Sequence, residues 1–427
     1  MKYPPPLPLF DNIAHLVANE DIPPYAGELH SEDYEHARAF LLAYRGSEDT
    51  FNAYRREVER LLQWTQHITP LQLKEIQRQH IELFIDFCLK PPLTWTGMNH
   101  VPRFQDKGGV RTPNIKWRPF ILPVSKRDFR EGKPPEKKSY KMSSTSVKHL
   151  LTILSTFFNY LVDEDYILSN PVKKIRQKKR YIQSEQKITP IRRLTAMQWK
   201  TLHQTAEEMA KEQPEIHERT LFIINALYYM YLRISELVAG HQWIYERGEL
   251  SKEFRWIPTM GDFYKDGDGN WWFKTVGKGN KARSIAVSNT MLKALKRYRK
   301  FLKLSDLPTP REQVPLLTKG KGKEPIQSVR TIRKIVQICI DRTIKNLIDL
   351  NQAEEADSLM ASTVHWFRHT GISDDIKERP REHVRDDAGH YSSATTDKYI
   401  NVELRERHES AKHKHERKND KKRGNYS

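Results

Sequence analysis

Six side chains in the second half of the chain have types and spacings that suit chemistry at a phosphate. In chain order they are Arg233, Lys278, His365, Arg368, His390 and Tyr399. Two guanidiniums, which are always charged and fork-shaped, match the oxygens of a phosphate whose negative charge grows during a reaction. A phenol can attack as a nucleophile, and a lysine can give a proton to the oxygen that leaves. These residue types therefore indicate cleavage of a phosphodiester.

Each of these segments, taken alone, also has an ordinary structural explanation. An arginine after an apolar helix is usually a surface group, a Gly-Lys-Gly sequence is usually a turn, and a tyrosine usually belongs to the packing. The order and spacing of the segments strengthen the functional explanation. Arg368 precedes His390 by 22 residues, and His390 precedes Tyr399 by nine.

These segments resemble the catalytic motifs of the tyrosine recombinases, also called phage-type integrases. In that family an arginine lies in a Gly-x-Arg-x-Ser-Glu-Leu segment, and a lysine lies in a Gly-Lys-Gly turn between two strands. A His-x-x-Arg motif, a Gly-His and a tyrosine nine residues beyond that histidine follow. This chain has Tyr-Leu-Arg-Ile-Ser-Glu-Leu at 231–237, Gly-Lys-Gly at 277–279, His-Trp-Phe-Arg at 365–368 and Gly-His at 389–390. The resemblance covers about residues 195 to 405, and it extends loosely to the helical N-terminal region.

The resemblance implies a role for each of the six residues. The two arginines would hold the scissile phosphate of DNA, and His390 would add a donor to it. His365 would either hydrogen-bond the phosphate or accept the proton of the nucleophile. Tyr399 would form a covalent 3′-phosphotyrosine, and Lys278 would protonate the departing 5′-oxygen. No metal and no other cofactor is implied, because cationic side chains supply the charge stabilisation that metals give elsewhere.

Several features depart from the family pattern or leave a choice open. Tyr231 stands where the family commonly has a glycine, two positions before the first arginine. Lys281 competes with Lys278 as the general acid, although the motif position favours Lys278. Glu236 has three candidate roles: it orients the first arginine, it orients a histidine, or it caps local structure. The segment at 240–271 exceeds the usual length, and an added sheet element is favoured there over an accessory contact surface.

The charge of the chain favours a polyanionic partner. Its 427 residues include 73 Lys+Arg and 54 Asp+Glu, which gives a formal net charge of +19. Clustered positive charge attracts nucleic acid and releases the counterions condensed on it. We therefore expect double-stranded DNA as the partner.

The composition also indicates the compartment. The chain has two cysteines, Cys88 and Cys339, which excludes a disulfide framework or a cysteine-based zinc site and suits a reducing environment. The longest apolar stretch, at 221–232, is shorter than the ~20 residues that cross a bilayer, and the first residues lack an apolar signal core. We expect no membrane association and a location in the bacterial cytoplasm, at the nucleoid when the protein is bound to DNA.

The pattern along the chain predicts a mainly α fold with a small antiparallel β-sheet, an α+β protein of two domains. Residues 1–30 are rich in proline and predict an extended arm. Residues 31–170 predict a helical domain, the core-binding domain of the resemblance, with an insertion at about 91–140. Residues 171–193 form a linker with nine Lys/Arg and one Glu. Residues 194–427 correspond to the catalytic domain and a basic tail.

Apolar periodicity and turn residues predict the individual elements. Helices are expected at 31–44, 49–64, 143–163, 195–210 and 218–238, and strands at 272–276 and 283–287. The two strands flank the Gly-Lys-Gly turn, so the expected hairpin would present Lys278 at its tip.

Eight lysines and arginines are predicted to contact DNA. They are Lys173, Lys174, Arg176, Lys178, Lys179 and Arg180 in the linker, and Lys281 and Arg283 beside the glycine-rich turn. A basic strap of this kind neutralises phosphates and releases their counterions. A solvated linker without a ligand explains the linker residues equally well.

The sequence favours a site-specific recombinase or integrase of a mobile element or phage, working as a homo-tetramer on paired DNA sites. A type IB topoisomerase, which shares the phosphotyrosine chemistry and relaxes supercoils as a monomer, is the first alternative. The two-domain length and the short spacing from Gly-His to Tyr399 favour the recombinase. A DNA-binding regulator without catalysis is the second alternative, and five intact residues argue against it: Arg233, Lys278, Arg368, His390 and Tyr399.

Overall fold

The structure, a computed structural model, describes most of the chain. The described residues are 3–19, 21–24, 30–122, 124, 126–130, 132–133, 136, 140–175, 181, 192–320 and 322–390. Within these ranges, Arg127, Phe129 and Lys278 are described by their backbones only. The chain divides into two compact units, and each consists of two segments: Met1–Ile188 with His241–Glu253, and Thr189–Gly240 with Phe254–Ser427. We call them the N-terminal unit and the C-terminal unit.

The N-terminal unit consists mainly of helices. They are α1 (Ile13–Ala18), α2 (Ser31–Ala43), α3 (Glu48–His67), α4 (Arg78–Leu89), α5 (Lys126–Arg130) and α6 (Ser144–Asp163). Four short strands lie between α4 and α5: β1 (Thr96–Gly97), β2 (Phe104–Lys107), β3 (Val110–Pro113) and β4 (Phe120–Ile121). β1 pairs with β4 in parallel, and β2 pairs with β3 antiparallel.

Apolar spacing along the helices explains the core of this unit. In α2, Tyr34, Ala37, Phe40 and Leu41 recur at steps of three and four residues, and all are buried. The ring of Phe40 stacks on Tyr54 of α3 with centroids 5.5 Å apart. The predicted periodicity of α2 therefore corresponds to its packing against α3.

Residues 3–12 of the proline-rich N-terminal segment form neither helix nor strand, but α1 (Ile13–Ala18) lies within the arm that the sequence predicts to be extended, and both parts pack into the core of the N-terminal unit. Phe10 is fully buried, and the N–H groups of Leu9 and Phe10 donate to Glu59 of α3 at 2.6 and 3.2 Å. The Trp95 indole donates to the carbonyl of Pro4 at 3.0 Å. The prolines prevent a helix, and the apolar residues after them supply the buried surface. This segment is a structural part of the N-terminal unit.

The insertion at 91–140 packs against the same segment. Arg111 of β3 forms two hydrogen bonds to Asp11, at 2.7 and 3.0 Å. The guanidinium of Arg60 in α3 donates to the carbonyl of Pro119 at 3.1 Å. The N-terminal segment and the insertion thus support each other.

Most of a hairpin from the second half of the chain, His241–Glu253, belongs to the N-terminal unit. Strands β5 (Gly240–Glu246) and β6 (Glu249–Trp256) form a two-stranded sheet. Arg247 and Gly248 join them, and both have positive φ, at 53° and 84°, as a tight two-residue hairpin turn requires. Trp243 and Leu250 pack against the core of the N-terminal unit. The expected domain at 194–427 is therefore interrupted at His241–Glu253, and the added segment is the sheet element that the sequence favours.

The C-terminal unit contains the remaining helices and a small sheet. The helices are α7 (Ala196–Glu212), α8 (Pro214–Tyr229), α9 (Asn289–Phe301), α10 (Val329–Asp349), α11 (Ala353–Met360), α12 (Val364–Asp375) and α13 (Arg381–Ala388). Strands β7 (Phe263–Lys265), β8 (Trp271–Val276) and β9 (Ala282–Ala286) form an antiparallel sheet with β8 in the middle. The predicted hairpin of β8 and β9 is present, with Val276 opposite Ala282.

The helix predicted at 218–238 ends earlier in the structure, at Tyr229. Tyr231 has φ of 49°, in the left-handed region where helices stop and where glycine is favoured. A separate 3-10 turn, Ile234–Leu237, follows it. α12 packs so closely on α8 that a Cβ at Gly371 would overlap the carbonyl oxygen of Tyr228. Arg233 consequently lies in a turn between helices.

Three further observations concern the described part of the chain. No helix in it is both long and apolar enough to span a membrane. No three of its His, Cys, Asp or Glu side chains are grouped as a metal ion would require. Both cysteines are buried and unpaired with each other.

Candidate active site

Arg233 begins the 3-10 turn Ile234–Leu237 and is held there by Glu236. The Arg233 backbone N–H donates to Glu236 Oε2 at 2.8 Å, and its Nη1 donates to Oε1 at 3.0 Å. Arg233 Nη2 donates to the carbonyl of Gly389 at 3.2 Å. The Arg233 side chain is 29% exposed, whereas Glu236 is 1% exposed. A buried carboxylate therefore fixes a partly accessible guanidinium.

Glu236 binds a second arginine as well. Arg283 of β9 donates to both carboxylate oxygens, Nη1 at 2.7 Å and Nη2 at 2.8 Å. Burial acts to raise the pKa of Glu236, but the hydrogen bonds and charge of Arg283, together with Arg233, hold it below its ordinary value. Of the three roles considered for Glu236, the geometry supports two at once: it orients Arg233 and it caps the turn.

The glycine-rich turn between β8 and β9 lies against this cluster. A Cβ at Gly277 would stand 3.0 Å from Glu236 Oε1 and 3.6 Å from Arg233 Nη1. The Gly277 N–H donates to the carbonyl of Lys281 at 2.9 Å, which closes the turn. Lys278 therefore directly follows Gly277, which contacts Glu236 and the two arginines that Glu236 binds. Only the backbone of Lys278 is described. Lys281 is exposed.

Arg368 is the second arginine of the set and is almost completely buried, at 2% exposure. It lies on α12, and its Nη2 donates to the carbonyl of Ala388 at 2.6 Å. Its Nη1 donates to the carbonyl of Tyr231. His365, one helical turn earlier, lies beside His369, with ring centroids 4.8 Å apart. α12 therefore brings His365 and Arg368 to the same face.

His390 follows the end of α13 in a helix-terminating motif. Gly389 has φ of 63°, its N–H donates to the carbonyl of Asp386 at 3.0 Å, and the His390 N–H donates to that of Arg385 at 3.1 Å. This pair of bonds is a Schellman motif, which requires a left-handed residue at the glycine. A Cβ at Gly389 would also stand 2.8 Å from Arg283 Cδ. The local sequence Ala-Gly-His therefore determines where His390 emerges.

The histidines are neutral near pH 7 because of burial and the nearby arginines. Burial, with the charges of Arg368 and Arg233, lowers the pKa of His390 to about 4. Burial, His365 and Arg368 lower the pKa of His369 to about 4. Desolvation and the charges of Arg368 and Arg233 lower the pKa of His365, although the residue is exposed at the surface of the chain. Neutral imidazoles can each donate one hydrogen bond and accept another.

Four of the six predicted residues are brought together in the C-terminal unit: Arg233, His365, Arg368 and His390. Lys278 is represented by its backbone, and Tyr399 lies outside the described residues. So do four of the predicted DNA contacts, which are Arg176, Lys178, Lys179 and Arg180.

The other predicted DNA contacts differ in their surroundings. Lys173 and Lys174 are exposed, and Lys174 Nζ donates to Ser169 Oγ at 2.7 Å. Arg283 is 12% exposed and directs both terminal nitrogens to Glu236. Its geometry favours a role inside the site over a contact with DNA.

Two polar residues behind the site, Arg379 and Asp387, were not predicted from the sequence. Arg379 donates to the Tyr231 hydroxyl at 3.0 Å and to Asp387 Oδ2 at 2.7 Å. Asp387 is 5% exposed and also accepts from the N–H of Ala286 at 3.1 Å. Tyr231, which stands where the family commonly has a glycine, was the one signal for them in the sequence. A tyrosine at that position needs polar partners for its hydroxyl, and Arg379 is one of them.

This arrangement suits binding and stabilisation of a phosphate. Two guanidiniums, each with five N–H donors in a rigid fork, are adjacent to neutral histidines that add donors of their own. Their planes are fixed beforehand by Glu236 and by backbone carbonyls, so little reorganisation is needed when charge develops.

No protein-family model matches the sequence, and no curated protein matches it. Two solved structures are similar across nearly the whole chain. The XerH site-specific recombinase bound to palindromic difH substrate, in a post-cleavage complex, has a TM-score of 0.52 and 14% identity, with 96% of this chain and 99% of that chain covered. Its pre-cleavage complex with difH substrate has a TM-score of 0.50 and 14% identity, with the same shares covered.

The fold class predicted from the sequence is confirmed by these similarities. At this level of identity they concern the fold, and the roles of individual residues rest on the geometry of this chain. With a helical N-terminal unit and a C-terminal unit that carries the motif residues on a small sheet and helices, this chain has the fold of the tyrosine recombinases.

Proposed function

We propose that this protein is a site-specific DNA recombinase that cleaves and rejoins strands through a covalent bond between Tyr399 and a 3′-phosphate. The observation that carries the proposal is the convergence of Arg233, Arg368, His365 and His390 in one unit of a recombinase fold. Their order in the sequence matches the family motifs, and the charges of both arginines lower the pKa of both histidines.

The proposed first step is an attack of the Tyr399 oxygen on the scissile phosphorus. A new P–O bond forms to the phenol, the bond to the 5′-oxygen breaks, and that oxygen leaves as a 5′-hydroxyl after it takes a proton from Lys278. Deprotonating a phenol of pKa ~10 at pH 7 costs about 4 kcal/mol. The positive charge of the arginines lowers that cost and stabilises the charge on the nonbridging oxygens.

The histidines have complementary roles in this proposal. With its pKa lowered to about 4, His390 is neutral before DNA binds and donates one hydrogen bond to the phosphate. His365, also neutral, either accepts the proton of Tyr399 or binds the phosphate. A bound phosphate would raise both pKa values, since a nearby negative charge favours the protonated form.

Rejoining reverses the chemistry with a different strand. A 5′-hydroxyl attacks the phosphotyrosine, a P–O bond to DNA forms, and the bond to Tyr399 breaks, so no nucleotide cofactor is consumed. Exchange of two duplexes involves four strands, and we propose a tetramer of this chain on paired sites. We also propose a bacterial element or phage as its source and the cytoplasm as its location.

The proposal is tested with suicide oligonucleotides from the DNA that flanks the gene, in which the leaving strand is lost after cleavage. We expect the wild-type protein to form a covalent adduct at one position, and Y399F, R233A and R368A to form none. Y264F is the matched control, because Tyr264 lies on β7 with its hydroxyl 2.9 Å from Ser284 Oγ. An adduct formed equally by Y399F would overturn the proposal.

A plasmid assay separates recombination from topoisomerase activity. Products joined only between matched sites support recombination. Relaxation of any supercoiled plasmid without a specific site supports the type IB alternative, and absence of adducts on every flanking sequence supports the non-catalytic regulator.

A further inference from the structure

The end of α13 provides three consecutive backbone carbonyls to three arginines. Arg283 Nε donates to the carbonyl of Asp387 at 3.0 Å, Arg368 Nη2 to that of Ala388 at 2.6 Å, and Arg233 Nη2 to that of Gly389 at 3.2 Å. We call these carbonyls the cradle. The Schellman motif satisfies only the preceding two carbonyls, so the cradle is the part of the helix end that needs outside donors.

The cradle suits guanidiniums for electrostatic reasons too. Carbonyls at a helix C-terminus carry the negative end of the helix dipole, and cations there are stabilised. Two bonds to different acceptors fix the plane of each guanidinium: Arg233 uses Glu236 and Gly389, and Arg368 uses Tyr231 and Ala388. The position of α13 thus sets the direction of both arginines.

A chain of polar side chains fixes α13 in turn. The Tyr231 hydroxyl donates to Asp375 Oδ2, and Arg379 Nη1 donates to that hydroxyl at 3.0 Å. Arg379 Nη2 donates to Asp387 Oδ2 at 2.7 Å, and Asp387 Oδ1 accepts from the Ala286 N–H at 3.1 Å. We call Tyr231, Arg379 and Asp387 the relay.

The relay connects every segment that carries a described residue of the site. Tyr231 precedes Arg233, Asp375 ends the helix of His365 and Arg368, Asp387 precedes His390, and Ala286 ends the strand after the Lys278 turn. Tyr231 is also held in the left-handed region; the residue is 1% exposed, and its carbonyl accepts a hydrogen bond from Arg368. Its strained backbone is maintained by the contacts of its side chain.

We propose that the relay is a positioning device: it sets the cradle, and through the cradle it orients Arg233 and Arg368 toward the phosphate. This inference rests on the proposed function. None of the relay side chains contacts DNA in this account, so their removal should slow cleavage and leave site binding intact.

The test compares Y231F with Y228F. Both tyrosines donate a phenol hydrogen bond to an aspartate, Tyr231 to Asp375 and Tyr228 to Asp374 at 2.7 Å, but only Tyr231 is bonded to Arg379. Single-turnover adduct formation, site affinity and thermal unfolding are measured for each. We expect Y231F to cleave about 10- to 100-fold more slowly with affinity unchanged, and Y228F to cleave at the wild-type rate.

R379Q and D387N keep the test valid if Y231F folds poorly. Both should cleave more slowly than wild type, and D387N, which retains an oxygen for the Ala286 N–H, should lose less than D387A. Equal rates for wild type, Y231F and D387N would overturn the inference, as would an equal loss in Y228F. If wild-type protein forms no adduct, the proposed function itself has failed.

A methylphosphonate at the scissile position distinguishes positioning from a general loss of structure. The methyl group removes one charged nonbridging oxygen, so less charge remains for the arginines to stabilise. The ratio of wild-type to Y231F rates should therefore shrink on this substrate. An unchanged ratio would mean that the relay acts on folding alone.

Discussion

At the scale of single residues, the site depends on charges that are paired before any substrate arrives. Glu236 is 1% exposed and serves Arg233 and Arg283 together. An uncompensated charge is costly in a buried site. The sequence motif predicts Arg233 and Glu236 as site residues. It does not distinguish Arg283 from the other basic residues of the chain, and only the contacts with Glu236 show that Arg283 belongs to the site.

We expect E236Q to destabilise the C-terminal unit by about 2–4 kcal/mol, because two guanidiniums lose their carboxylate. It should also slow adduct formation, since Arg233 is no longer fixed. E312Q is the matched control: Glu312 forms a similar two-bond pair with buried Arg299, at 2.9 and 3.1 Å. Thermal unfolding should respond to both variants and cleavage by the folded protein only to E236Q. Wild-type cleavage by E236Q would refute the role of Glu236.

The histidines make stability depend on pH. His369 and His390 have pKa values lowered to about 4 by burial and neighbouring positive charge, against about 6.5 in an unfolded chain. The unfolded chain therefore binds protons more tightly. The contribution of these two histidines to the free energy of unfolding is fully present above about pH 6.5, and it is lost as the pH falls toward 4.

H369Q removes one of these groups and leaves the proposed phosphate ligands themselves in place, although His369 lies beside His365, with ring centroids 4.8 Å apart. We expect its melting temperature to fall less steeply than that of wild type between about pH 7 and 5. Two parallel curves would show that His369 does not contribute to the pH dependence.

At the scale of elements, the sequence predicts a helix boundary correctly where neighbouring residues determine it. Ser143 accepts a hydrogen bond from the Ser146 N–H at 3.1 Å and begins α6, at the start that the sequence predicts. The predicted end of α8, at residue 238, was wrong by nine residues, because no neighbouring residue indicates that Tyr231 adopts the left-handed conformation. Tyr231 remains there through Asp375 and Arg379, which are more than 140 positions away.

The N-terminal segment shows the same limit. Its prolines predict an extended chain, and nothing in them indicates what the chain packs against. Phe10 is fully buried, and its ring lies 5.0 Å from that of Tyr34.

We expect F10A to destabilise the N-terminal unit by about 3–5 kcal/mol, as loss of a buried phenylalanine does. P5A, at an exposed position of the same segment, should have no measurable effect. Chemical denaturation monitored by tryptophan fluorescence gives both values. If the two variants are equally stable, the segment is not part of the core.

At the scale of the whole molecule, the units are not continuous in sequence. The hairpin at His241–Glu253 belongs to the N-terminal unit, where Lys252 pairs with Glu48 at 3.3 Å and Arg45 lies over the ring of Tyr245 at 4.9 Å. Composition and turn signals predicted two domains, but they cannot show that a later segment completes the earlier one, because that pairing is non-local.

This connectivity predicts the behaviour of a cut chain. If a specific protease site is placed in the linker at 182–186 and cleaved, the two fragments should remain associated, since the hairpin on the second fragment packs into the core of the first. Replacing Trp243 and Leu250 by alanine should weaken that association. Gel filtration measures both, and fragments that separate readily without these substitutions would contradict the assignment of the hairpin.

The central claim concerns the bond between the protein and DNA, and it is tested most directly by mass spectrometry of a trapped adduct. After nuclease and protease digestion, we expect one nucleotide-linked peptide, modified on Tyr399 through a 3′-phosphate, and a 5′-hydroxyl on the released strand. A link at another residue, or a tyrosine joined to a 5′-phosphate, would contradict it.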